Sequence, residues 1–77
     1  MEIDYLKLGR RLRAFRVKSG LTQAQLAEAS CIEPSNISHI ERGATKVSLP
    51  TLVKLANALG ASLDSLVYDS LEQTRHI

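Results

Sequence analysis

Only about three residues, Cys31 to Glu33, separate two stretches of the chain that each read as a short helix. So brief a connection forces a sharp change of direction, the helix-turn-helix arrangement. The first stretch opens on Thr22, a capping residue, and runs to about Ser30 with Leu26 and Ala27 facing inward. The second has Glu33 at the N-cap position and Pro34 at the first helical position, where a missing N–H costs nothing. It runs to about Arg42, and Gly43 ends it. Neither helix is long enough to persist alone, so both must bury a face against the rest of the chain.

The same punctuation recurs on either side. Asp4 caps a helix whose Leu8, Leu12 and Phe15 fall at i, i+4 and i+7, and Gly20 stops it in the left-handed position that closes a helix. After a polar loop, Ala44 to Val47, Ser48 caps a fourth helix with Pro50 in its first turn. Leu52, Leu55, Ala56 and Leu59 form its apolar stripe, and Gly60 is its stop. Ser62 caps a fifth helix with Leu63, Leu66 and Val67 inward. No strand-like alternation stands out, and no repeat or linker interrupts the pattern. The expected fold is all-α, a five-helix bundle over residues 1–68, with residues 69–77 a tail that either extends helix 5 through Leu71, packs on the core or frays.

The second helix of the pair, helix 3, presents an unusual outer face. At about 100° per residue, Ile37 and Ile40 lie within about 60° of each other and define its buried side. The opposite side carries Ser35, Ser38, His39 and Arg42, with Asn36 on the flank and Glu41 turned partly inward near Ile37. Long flexible side chains are absent at 35, 36 and 38, so the helix backbone can approach a groove wall. Ser and Asn, which donate and accept, and Arg, which donates, can match the mixed patterns that base edges display in the major groove. The same composition also suits an ordinary solvated face. Glu33 is read as a cap, with acceptance from a cytosine amino group as its alternative.

Charge and composition narrow the partner. The chain has 77 residues, 44% of them apolar, which fits one small domain. Residues 1–54 carry nine Lys or Arg against five acids, whereas residues 55–77 carry one against three. Such an imbalance suits an anionic partner at the first part of the chain, and equally a helix 1 that is simply solvated by its six basic residues, 7–18. Cys31 is the single cysteine, which excludes an internal disulfide and fits a reducing cytoplasm. Apolar runs fall far short of the roughly 20 residues that span a bilayer. No membrane association is expected.

Residues 8 to 67 resemble the DNA-binding domain of the Cro and phage-repressor helix-turn-helix family. The resemblance is carried by "LGRRLRAFR", "GLTQAQLAEA", "SNISHIERG", "LPTLVKLANALG" and "SLDSL", in order and at the family spacing. It implies a compact lambda-repressor-like domain whose helix 3 is the recognition helix. Ser35, Asn36, Ser38 and His39 match the positions from which the family reaches bases and nearby phosphates. Gln23, at the start of helix 2, matches a residue that clamps a backbone phosphate. Arg42, Thr45 and Lys46 match the loop that runs beside the sugar-phosphate backbone. Arg16 is expected to pair with Glu41, and Ala27 matches a small residue where helices 2 and 3 nearly touch.

Two positions depart from the family pattern. Cys31 stands where Gly or Asn is usual and φ is positive, a strain of about 1–2 kcal/mol. Ser30 stands where an apolar residue is preferred.

The function implied is that of a sequence-specific, double-stranded-DNA-binding transcriptional regulator, a repressor by analogy, acting as a homodimer on a palindromic operator and open to control by a regulatory protein. Leu71, Tyr68 and Ile77 are candidates for the dimer surface. The rivals are an antitoxin of a toxin–antitoxin pair or a protein-interaction module on the same fold. An enzyme is not expected. Cys31, His39 and His76 are too scattered for a zinc tetrad, and Ser38 and His39 point about 100° apart on a helix. No cofactor or metal is expected.

Overall fold

A computed structural model of the chain describes residues 2–68 and 71–72, with side chains described for residues 3–68. Five helices follow in order: α1 (Tyr5–Lys18), α2 (Gln23–Ser30), α3 (Pro34–Glu41), α4 (Leu49–Leu59) and α5 (Leu63–Val67). Four of them start as the sequence indicates. The side chains of Asp4, Thr22, Ser48 and Ser62 each accept a hydrogen bond from the backbone N–H three residues on. At Thr22 the bond is reciprocal, because Gln25 Oε1 accepts from the Thr22 N–H at 2.8 Å. This capping box satisfies two helix-start donors at once.

Glu33 differs from its expected role. It holds the N-cap backbone position of α3, but its exposed side chain makes no capping bond. The Asn36 N–H, a natural target for such a bond, donates instead to the Glu33 carbonyl at 3.0 Å.

Helix α1 packs on α3 and α5, α2 on α3 and α4, and α4 on α5. At their common centre Leu8, Leu12, Leu26, Ile37, Leu55 and Leu66 are almost wholly buried. Phe15, Leu59, Leu63 and Val67 are half-buried against this core. Gly9, in the middle of α1, lets that helix approach α3 closely. A Cβ built there would lie 2.3 Å from the Ile40 carbonyl oxygen and 2.6 Å from that of Glu41.

The turn between α2 and α3 has the left-handed residue the resemblance implies. Cys31 sits at φ 59°, ψ 41°, and the Ile32 N–H closes back onto the Ala27 carbonyl at 3.0 Å. Cys therefore keeps the turn geometry at a conformational cost of about 1–2 kcal/mol. Cys31→Gly is expected to raise stability by about 1 kcal/mol, a gain of about 4–8 °C in melting temperature for a domain of this size. A melt no higher than the parent's would show that the turn is not strained. Ser30, the other departure, is buried, and its hydroxyl donates to the Leu26 carbonyl at 2.6 Å. Its polarity is thereby satisfied within its own helix.

The C-terminal side differs from expectation. Helix α5 ends at Val67, and Leu71 does not continue its stripe but lies in a strand. That strand, β2 (Leu71–Glu72), pairs antiparallel with β1 (Glu2–Ile3), in the register Ile3 with Leu71. With Leu66 already fully buried, a further helical turn would find no core left to cover, and unpacked helix does not persist. Strands of two residues are too short to give an alternation signal in sequence. Ile77 lies outside the described residues. Among those described, no helix is long and apolar enough to cross a membrane.

Candidate nucleic-acid interface

Two isoleucines fix the pose of α3. Ile37 is fully buried and Ile40 nearly so, and Glu41 joins them on the inner side. The opposite side is open: Ser35, Asn36, His39 and Arg42 are exposed. Ser38 is half-buried, and its hydroxyl accepts from Arg42 Nη1 at 3.0 Å. Of the four expected base-reading residues, Ser35, Asn36 and His39 thus share one exposed surface. Ser38 stands apart, holding the Arg42 guanidinium one turn further on.

The C-terminal end of α3 is closed sharply. The Gly43 N–H donates to the Ile40 carbonyl at 3.0 Å, and the Ala44 N–H to that of His39 at 2.9 Å. Gly43 has φ 70°, and a Cβ there would lie 2.7 Å from Leu6 Cα. Only glycine meets both demands. The chain then turns into the loop with Thr45 half-buried and Lys46 exposed. Arg10 and Arg13 are exposed on the side of α1 that carries Leu6, the residue that meets Gly43. Their i, i+4 and i+7 spacing from Leu6 is the sequence signal that sets them on this side, once Leu6 is known to meet Gly43.

Behind this surface, Arg16 and Glu41 form the expected pair. Arg16 Nε donates to Glu41 Oε2 at 2.6 Å and Nη2 to Oε1 at 3.0 Å, a two-point fork with both residues buried. Arg16 Nη1 also donates to the Leu21 carbonyl at 2.8 Å. The hydrogen bond to Glu41, opposed by burial and reinforced by the charge attraction, raises the Arg16 pKa above its ordinary value. One guanidinium thus ties α1, the start of α2 and the end of α3 together.

Gln23 is drawn into the same cluster. It is half-buried at the first position of α2, and its Nε2 donates to Glu41 Oε1 at 3.0 Å. That bond was not foreseen. It orients the carboxamide from behind, while the first intrahelical bond of α2 begins only at the Leu26 N–H and Thr22 Oγ1 takes the Gln25 N–H, which leaves the N–H groups of Gln23 and Ala24 at the helix start.

A family model described as a helix-turn-helix domain matches residues 7–67 of this chain. The chain belongs to the Cro and phage-repressor helix-turn-helix family. It is 39% identical over 62 residues to the immunity repressor protein of Bacillus phage phi105, covering 80% of this chain and 43% of that protein. It is also similar to the restriction-modification controller protein C.AhdI from Aeromonas hydrophila, with 41% identity and a TM-score of 0.80 over 82% of this chain and 96% of that one. A third likeness is to SinR, a master regulator for biofilm formation, solved in complex with DNA. There the identity is 32% and the TM-score 0.74, covering 77% of this chain and 95% of that one. The chain spans about half or less of the length of the first curated relatives it matches.

Proposed function

We propose that this helix-turn-helix domain binds double-stranded DNA in a sequence-specific manner and acts in the cytoplasm as a transcriptional repressor. The observation that carries the reading is the exposed face of α3, where Ser35, Asn36 and His39 stand opposite a buried pair of isoleucines. The DNA complex of SinR supports it. Helix α3 lies in the major groove, with Ser35 and His39 toward base edges and Asn36 toward a base or phosphate. Ser38 sets the Arg42 guanidinium for a phosphate rather than reading a base. Gln23, held by Glu41, meets a phosphate at the N-terminus of α2, where free N–H groups and the helix dipole favour an anion. Thr45 and Lys46 follow the backbone and fix register rather than sequence.

One recognition helix reads few base pairs, so two copies act together on a palindrome with half-sites about 34–36 Å apart. Duplex titration across salt tests the phosphate roles. Affinity falls steeply as salt rises, and Lys46→Ala lowers the slope by about 0.9. A slope near zero for the parent would favour a protein-interaction module over a DNA binder.

A further inference from the structure

Helix α1 carries six of the chain's ten Lys and Arg and no acid. Two of the six are engaged from within. Arg16 is held by Glu41, and Arg11 Nε donates to the Ser65 carbonyl while its guanidinium lies 5.2 Å from the centroid of the Tyr68 ring. Lys7, Arg11, Ala14 and Lys18 fall at i, i+4, i+7 and i+11, one stripe along the helix. Lys7, Ala14 and Lys18 are exposed, and neither lysine has an acidic partner among the described residues.

Within this stripe Arg11, Ala14, Phe15 and Lys18 line an open pocket of about 210 Å³. Its base is apolar, because Phe15 packs against the core, and a cation stands at each end. At about 100° per residue, Arg11 lies about 160° around α1 from Gly9, the residue pressed against α3. The stripe therefore borders α5, where Arg11 is bonded, and faces away from Ser35 and His39.

We propose that this stripe is a docking surface for an acidic segment of a partner protein, one apolar side chain of which enters the Phe15 pocket. The charge is complementary: a helix without a single acid meets a segment rich in them, which steers encounter and fixes register. The pocket decides between kinds of anion. A DNA backbone has no apolar side chain to fill it, whereas a protein segment supplies an anchor of the type that carries most interface energy. Tyr68, 77% exposed beside Arg11, extends the apolar surface at the rim. Docking here leaves the α3 face open, so a partner and DNA can bind together, and nothing in it depends on the DNA reading.

Selection of 12-residue peptides from a random displayed library against the full chain tests the proposal. The expected winners carry several Asp or Glu around one Leu, Ile or Phe. Their affinity falls at least about tenfold on Ala14→Glu, which blocks the pocket mouth and sets a carboxylate between its two cations. Thermal melting of that variant should match the parent, since Ala14 is exposed. Lys18→Glu, outside the pocket base, gives the same loss if folding of the first variant is impaired. No acidic–apolar consensus, or binding that survives both substitutions, would overturn the proposal. So would displacement of the peptides by duplex DNA, or self-association of the chain abolished by Ala14→Glu, which would assign the stripe to DNA or to a second copy.

Discussion

Arg16→Ala is expected to lower the stability of the domain by about 3–5 kcal/mol, because it strands the buried Glu41 carboxylate. For a domain of this size that is a fall of at least about 12 °C in melting temperature. The loss exceeds that of a surface ion pair for a structural reason. Glu41 is also the acceptor for Gln23, and Arg16 serves the Leu21 carbonyl, so one deletion unsettles three segments. Replacing both partners, Arg16→Met with Glu41→Leu, removes the stranded charge and should recover part of the loss. The raised Arg16 pKa works in a definite direction. Its stabilisation is fully present below the unfolded value and is lost only as pH rises through the folded one, so the Arg16 guanidinium itself gives no pH dependence of stability near neutrality. A melt of Arg16→Ala within about 2 °C of the parent would refute the pairing.

Gly9→Ala carries the second large effect, and it runs against helix propensity. In an exposed helix the change would stabilise by about 0.8–1 kcal/mol. Here the added methyl meets two backbone carbonyl oxygens of α3, at 2.3 and 2.6 Å, and backbone cannot swing aside as a side chain does. Helices α1 and α3 must separate, and overpacking of this kind costs about 1–3 kcal/mol. The expected result is a melting temperature lowered by roughly 4 °C or more. Because α3 is the element displaced, duplex affinity should fall with it. A variant more stable than the parent would show that the helices are not in close contact at this position.

These two positions also mark how far the sequence could be read. The caps at Asp4, Thr22, Ser48 and Ser62 were legible because each bond reaches only three residues along the chain. The burial of Ile37 and Ile40 was legible for the same reason, since helical period is a local property. Glu41 turned inward on period, and the resemblance named its partner 25 residues away. Gly9 was silent, because its role depends on which surface arrives against it from a distant part of the chain. The reciprocal bond at Thr22 and Gln25 has its signal in the three-residue spacing of a hydroxyl and a carboxamide. Glu33 failed as a side-chain cap because its own carbonyl took the Asn36 donor, and Leu71 failed as helix because α5 had already spent its buried face.

At the site, the exposed face of α3 was legible and its internal ties were not. Ser38 looked equivalent to Ser35 on composition, yet the structure engages it with Arg42 and leaves Ser35 exposed. Gln23 is expected from the resemblance to clamp a phosphate, and its tie to Glu41 had no signal in the sequence. Both distinctions arise from side-chain bonds that period alone does not predict.

The reading of base edges by α3 is tested most directly by selecting bound sequences from a random duplex pool, with the parent chain and with His39→Ala in parallel. The parent should yield one two-fold-symmetric motif, and the variant should lose preference at the same base pair in each half while retaining the rest. Failure to retain any duplex in dilute buffer, or an identical motif from both chains, would contradict it.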